Sequence, residues 1–354
     1  MRHFKTFIMP SEPSEWLEYP LLSQKISDYI INTVKAVSDG AINIGSPVNT
    51  AFDNVLVYLK PCPALSIDIL SYLTEQASAV LMTKGEPLAV YGPASDVIEA
   101  LAHEDVSSFE AVETPPGDAA YVFDTESAYR AQELLRERIN TRHLKAGVML
   151  ISPQTTHIAP DVTIGKGSVI LPGCLIYSGT KIGQGCKIGP NCILEQAVIE
   201  DGASLNNAQV SQSSIGENTT VGPYCWIRPG CKIGSNVRLG DFVELKKAVI
   251  GNGTKVSHLT YIGDAEFGEH INVGCGTVVV NYDGKGKYLT TVGDNSFIGC
   301  NVNLISPVAI GKDTFIAAGS TITEDVEDGA FAIARNRQTI KPGWVEKRRE
   351  SGKL

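Results

Sequence analysis

Two hydrophobic periods run along this chain, and they change over near residue 148. Before that point, short apolar runs alternate with amphipathic segments. "FKTFIM" (4–9), "NVLVYL" (54–59) and the runs at 79–82 and 88–91 read as strands. In "LLSQKISDYIINTVKAV", Leu22, Ile26, Ile30, Val34 and Val37 fall at helical spacing, with Gly40 just beyond the end. "ALSIDILSYLTEQA" and "PASDVIEALAHE" (93–104) read as two further helices. "AAYVF" (119–123) precedes a long helix, "ESAYRAQELLRERINTRHLKA", with Asp124 or Thr125 as its cap and Gly147 as its end. The alternation predicts an α/β domain with a mostly parallel sheet over 1–124, then a linker helix over 125–147.

From 148 to 326 the period is six. Aliphatic residues stand at 158, 164, 170, 176, 182, 188 and 194, and again at 215, 221, 227, 233, 239 and 245. Val256, Ile262, Val273 and Val279 continue the beat, and Val292, Ile298, Leu304, Ile310, Ile316 and Ile322 close it. One inward aliphatic every six residues predicts an all-β parallel β-helix with three short faces per coil. Glycine often follows the aliphatic position, as at Gly165, Gly216 and Gly293, and is expected to supply a corner. The last stretch, 327–354, lies beyond the beat and ends in the basic "EKRR".

Composition narrows the function. A net charge of -9 and a pI near 5.3 argue against nucleic acid as a general partner. No apolar run approaches the roughly 20 residues of a membrane span, and the N-terminus lacks the long apolar core of a signal peptide, so a cytoplasmic protein is expected. Cys174, Cys186, Cys192, Cys225 and Cys231 each fall four residues after an aliphatic position, a slot suited to a small buried side chain. No CxxC pair occurs, so no metal site is expected.

The beat fails most visibly between Val279 and Val292. "VNYDGKGKYLTT" is too long for one face and must leave the prism as a loop, carrying Lys285 and Lys287 as cations suited to phosphate. Nearby, "KVSHLTYIGD" places His258 where neighbouring coils carry small residues.

These segments carry a resemblance. "GDFVELKKAVIGNGTKVSHLTYIGDAEFGEHINVGCGTVVVNYDGKGK" resembles the acetyltransferase half of a bifunctional family that joins glucosamine-1-phosphate N-acetyltransferase to N-acetylglucosamine-1-phosphate uridyltransferase. The likeness runs from about Arg138 to Trp344 and includes "RERINTRHLKAGV" and "ARNRQTIKPGW". It implies a left-handed coil, acetyl-CoA as cosubstrate, glucosamine-1-phosphate as acceptor and a homotrimer, with 327–354 as a tail contacting CoA. His258 would be the general base, supported by Glu244, with Asn281 near the reacting groups. Arg228, Lys246, Tyr261, Asn272 and Lys287 would hold the sugar phosphate. Cys275, Tyr282, Cys300, Ala318 and Arg335 would lie along acetyl-CoA. Cys275 stands for the family's Ala, and Cys300 for a Ser that assists the leaving thiolate.

The chemistry fits these residue types. Acyl transfer to an amine needs a base near neutrality, donors for the developing oxyanion and a held phosphate. The front half departs from the family. Its first strand should lead into a Gly-rich loop with Arg and Lys around a triphosphate. Here "PSEPSEWLEYPLLSQK" has neither Gly nor Arg, Glu12, Glu15 and Glu18 would repel phosphate, and Pro10 and Pro13 remove backbone donors. Lys25 is the one candidate remnant. The expectation is a shortened, degenerate nucleotidyltransferase-like domain without uridyltransferase activity. The alternatives are an acyltransferase for another amino sugar or UDP-sugar, and a non-enzymatic trimeric scaffold. A hexapeptide-type zinc carbonic anhydrase is disfavoured, because His157, His258 and His270 do not share one phase.

Overall fold

The computed structural model describes residues 4–9, 14–18, 20–21, 24–45, 48, 51–115 and 119–353. Expectations resting on Leu22, Pro10, Glu12, Pro13 and the Glu15 side chain fall outside those residues. The chain forms two compact units, divided after Asp201.

The first unit opens with a six-stranded sheet in the order Ile42–Ile44, Lys5–Ile8, Asn54–Tyr58, Glu86–Pro93, Ala79–Thr83, Glu110–Glu113. Three of its pairings are parallel, and the two made by Glu86–Pro93 are antiparallel. The reversal follows from the tight "TKGE" link after Thr83, which has room for a hairpin and none for a crossover helix. Alternate strand residues feed two cores. Phe4, Ile8, Leu56 and Tyr58 pack with α1 (Ile26–Val37), α2 (Ile67–Leu73) and α4 (Thr125–Lys145). Phe7, Val55, Val57 and Val90 pack with α3 (Ala94–His103). The domain is a three-layer α/β/α sandwich. Asp124 is the cap of α4, its carboxylate accepting from Ser127 N–H at 2.7 Å. At the entrance to α1, Lys25 is tied to Glu18 at 2.5 Å, so the candidate phosphate lysine already carries its own carboxylate.

The parallel solenoid begins at Met149–Leu150. In both units its strands stack in register, as Thr163 on Lys181 and Ile164 on Ile182 in the first, and Trp226 on Glu244 and Ile227 on Leu245 in the second. The coil is left-handed, as the resemblance implies, and the aliphatic column is buried throughout, with Ile158, Leu194, Ile227, Leu245 and Ile316 fully enclosed. The five phased cysteines are buried as expected.

The glycine expectation holds at Gly189 and Gly222, which also follow an aliphatic position and have φ of 107° and 99°, and needs correction elsewhere. Gly165, Gly216 and Gly293 do not have left-handed backbone. They are needed because a Cβ there would run into the backbone of the next coil, 2.5 Å from Gln184 N, Gly234 C and Lys312 N respectively. The left-handed corner comes two residues later and is commonly Asn or Gly, as at Gly167, Asn218 and Asn295.

Helix α4 docks on the first coils through Asn140, which donates to Pro153 O (2.8 Å) and Thr156 O (3.0 Å), and through Arg136, which donates to Pro153 O (2.6 Å). His143 is buried on the same helix. Burial, and then Arg142, push its imidazole down from 6.5 to about 4. A histidine held neutral in the fold binds its proton more readily once unfolded. Its stabilising share is therefore full above about pH 6.5 and is lost as pH falls toward 4. Thermal melts across that window should show a decline in stability that His143→Gln reduces. Equal declines in both proteins would remove His143 as a cause.

Candidate functional site

Coil phase decides which side chains meet in the second unit. The strands Arg238–Asp241 and Lys255–His258 pair in register, with Asp241 beside His258. His258 Nδ1 lies 2.5 Å from Asp241 Oδ1. The imidazole draws the Asp241 carboxyl below its usual range through that hydrogen bond. In a neutral imidazole, a carboxylate at Nδ1 favours the tautomer with the proton there and the lone pair on Nε2. A cleft of about 570 Å³ lies against this pair, lined by Thr220, Pro223, Arg238, Gly240 and Ser257 with the pair itself.

Within one chain Glu244 does not face the imidazole. It occupies the phase of Tyr261, one position before the inward aliphatic, whereas Asp241 and His258 lie two positions after theirs. Its Oε1 accepts from Arg228 Nη1 at 2.9 Å. The Arg228 guanidinium also lies 4.8 Å from the centre of the Trp226 ring.

A second cluster surrounds Gly263. Lys246 pairs with Gly263 across adjacent coils, and an added Cβ on Gly263 would collide with the Tyr261 hydroxyl and lie 3.0 Å from Asn281 Nδ2. The missing side chain therefore lets Tyr261 and Asn281 pack over Gly263, next to Lys246 on the adjacent coil. Asp264 braces this cluster, accepting from Asn281 Nδ2 at 2.5 Å and lying 3.5 Å from Lys246 Nζ. Lys287 reaches the same place from the loop, and the hydrogen bond and like charge of Lys246 lower its pKa. Two ammonium groups held this close favour a multiply charged anion between them.

The loop leaves the prism after Val280, as its length predicts. It is closed on itself. Asp283 Oδ1 accepts from Lys285 N–H (2.8 Å) and Gly286 N–H (2.7 Å), and Tyr288 donates to Asp283 Oδ2 (3.0 Å). Asn281 is buried at its root, whereas Tyr282 is exposed.

A third set forms a ladder along one corner. The registers Lys255–Asn272–Phe297–Phe315 place His258, Cys275, Cys300 and Ala318 at equivalent positions in four successive coils. At about 4.8 Å per step, His258 and Ala318 are roughly 14 Å apart. The next coil brings Ala334 to that position and Arg335 beside Gly319, an added Cβ of which would lie 3.6 Å from the arginine Cδ. Asn272 stands three residues before Cys275, half-buried on the face that leads to this corner. Phe297, Phe315 and Phe331 stack along that face, with centroids 4.6 and 5.7 Å apart.

The structure thus brings together Lys246, Tyr261, Asn281 and Lys287, with Arg228 and Glu244 on the same sheet. His258, Cys275, Cys300, Ala318 and Arg335 lie along one corner, and Asn272 lies on the sheet that carries His258. Asp241 and Asp264 were missed by the sequence reading. Phase would have found Asp241, since it precedes His258 by one coil at the same offset from the aliphatic column. Among the described residues, no cluster of three or more His, Cys, Asp or Glu side chains is placed to hold a metal.

Comparison with known proteins agrees with this architecture. Residues 212–247 and 289–324 match the bacterial transferase hexapeptide model, and residues 160–196 match the hexapeptide repeat of succinyl-transferase. The bifunctional protein GlmU of Thermoanaerobacter pseudethanolicus is 49% identical over 260 residues, 73% of this chain and 57% of that protein. GlmU of Clostridium perfringens is 49% identical over 72% of this chain and 56% of its own length, and that of Clostridium beijerinckii is 54% identical over 62% and 48%. The chain spans about half the length of the curated relatives it matches. Three stretches of the solenoid thus match hexapeptide-repeat models, and close to three quarters of the chain is similar in sequence to GlmU proteins.

Proposed function

We propose that the chain transfers the acetyl group of acetyl-CoA to the amine of glucosamine-1-phosphate. The observation that carries this reading is the Asp241–His258 pair at the head of the Cys275–Cys300–Ala318 corner. A base with its lone pair on Nε2 stands at one end of an edge long enough for the pantetheine arm. Nε2 accepts the amine proton as nitrogen attacks the thioester carbonyl, and Asp241 stabilises the resulting imidazolium. The flanking Gly274 and Gly276 N–H groups are spent on Ile298 O and Leu259 O, and the Cys275 N–H between them is assigned to the oxyanion. The thiolate leaves past Cys300, whose S–H is a weak donor.

Lys246, Lys287 and Arg228 receive the phosphate, with Tyr261 and Asn281 on the sugar. The phosphate cluster and the imidazole hang from different sheets of the prism. We assign the complete site to adjacent copies in a homotrimer, one copy presenting the corner and another the phosphate cluster. The 327–354 tail, with Arg348 stacked on Trp344, is assigned to the CoA phosphates. The first domain is assigned no uridyltransferase activity, supported by the Lys25–Glu18 pair and the lack of Gly and Arg after the first strand.

The test is thiol release from acetyl-CoA. Release should require glucosamine-1-phosphate and yield its N-acetyl product, while UTP and N-acetylglucosamine-1-phosphate should give no pyrophosphate. Amine-independent release, or none, would refute acetyl transfer, and ready pyrophosphate formation would refute the reading of the first domain. Gly263→Ala should raise KM for the sugar phosphate several-fold, since the added methyl would displace Tyr261 and Asn281 from the sugar and a neutral hydrogen bond is worth about 0.5–1.5 kcal/mol. An unchanged KM would show that the Tyr261–Asn281 cluster is not the sugar-phosphate site.

A further inference from the structure

Six of the eight cysteines are buried, and the other two are not: Cys275 is half-buried and Cys300 exposed. These two are not scattered. Asn272 pairs with Phe297 and Val273 with Ile298, so Cys275 and Cys300, each three residues after the first of those positions, are in-register neighbours on adjacent coils. The Asn301 N–H donates to Cys275 O at 2.8 Å, which fixes the two corners against each other. One coil step is about 4.8 Å, inside the roughly 4.4–6.8 Å between Cα atoms that a disulfide spans. Both side chains stand on the outside of a corner, where no aliphatic column needs to be displaced. Gly274, beside Cys275, lets the two coils approach closely: an added Cβ there would lie 2.5 Å from Cys300 N.

We propose that Cys300 and Cys275 form a thiol pair that low-molecular-weight disulfides oxidise to a cross-coil disulfide, closing the acyl-donor edge. The exposed Cys300 thiolate attacks one sulfur of the small disulfide and releases one small thiol, leaving a mixed disulfide on Cys300. The Cys275 thiolate then attacks Cys300 Sγ and expels the second small thiol. Two protein thiols are oxidised, one small disulfide is reduced to two thiols, and the two protons leave with those thiols. The product links the two coils at the corner directly below His258, where the thioester carbonyl and the departing sulfur are placed. The bond itself depends only on the register. Its effect on acetyl transfer rests on the proposed function.

The experiment uses the full chain and glutathione disulfide as oxidant. Peptide mapping of the oxidised protein should show Cys275 joined to Cys300, with an intact mass lower by two hydrogens. Cys275→Ser should instead retain one glutathionyl group on residue 300. Acetyl transfer should fall at least tenfold on oxidation and return with dithiothreitol, and Cys275→Ser/Cys300→Ser should show the same rate before and after oxidant. Absence of the cross-linked peptide overturns the pair. A cross-link with the transfer rate unchanged overturns the closure while leaving the bond. A protein inactive before oxidation overturns the proposed function alone, because the mapping still decides the pair.

Discussion

His258→Ala should lower kcat for acetyl transfer by about 10²–10⁴, the usual worth of a positioned general base. KM for either substrate should change far less, because the imidazole acts on a proton that moves only in the transition state. Asp241→Asn should lower kcat by a smaller factor. The amide can still touch Nδ1, at 2.5 Å in the wild type, but cannot stabilise an imidazolium as a carboxylate does. Steady-state rates of the two variants, with acetyl-CoA saturating, check both statements. A fully active His258→Ala enzyme would remove the imidazole from the mechanism. A wild-type rate in Asp241→Asn would leave the pair a surface contact.

Arg228→Ala should raise KM for glucosamine-1-phosphate about tenfold to a hundredfold and leave kcat nearly unchanged, the range expected when a charge-assisted hydrogen bond to phosphate is lost. Glu244 sharpens this prediction. Its carboxylate holds the guanidinium at 2.9 Å, so in the wild type Arg228 is positioned but half-neutralised before substrate arrives. Removing the arginine also frees Glu244, whose charge then repels the phosphate. Arg228→Ala/Glu244→Gln should therefore bind the sugar phosphate better than Arg228→Ala alone. Equal KM values in the two variants would show that Glu244 does not face the phosphate.

Much of this arrangement was legible in the sequence because the solenoid writes its geometry as phase. The aliphatic column, the buried cysteines at offset four and the loop after Val280 follow from counting. Counting one coil back from His258 leads to Asp241, the acid that faces it within the chain, whereas Glu244 lies at a different phase on the sheet of the cations. Asp264 was hidden differently. It sits at a left-handed corner with φ 46°, where a polar residue is ordinary, and only the folded chain shows it bonded to Asn281 and Lys246. The role of Gly165, Gly216 and Gly293 was hidden because composition cannot separate a residue chosen for backbone freedom from one chosen for close approach. In the first domain, periodicity gave the helices. The reversed strand Glu86–Pro93 rests on a two-residue turn that a count of alternating elements overlooks.

The most direct test of the central claim is a crystal structure of the protein with CoA and glucosamine-1-phosphate bound. The account predicts the acceptor amine within about 2.6–3.2 Å of His258 Nε2. It places the phosphate on Lys246, Lys287 and Arg228, and the CoA thiol beside Cys300. A sugar phosphate bound away from all three cations, with its amine out of reach of every His258 in the assembly, would contradict it.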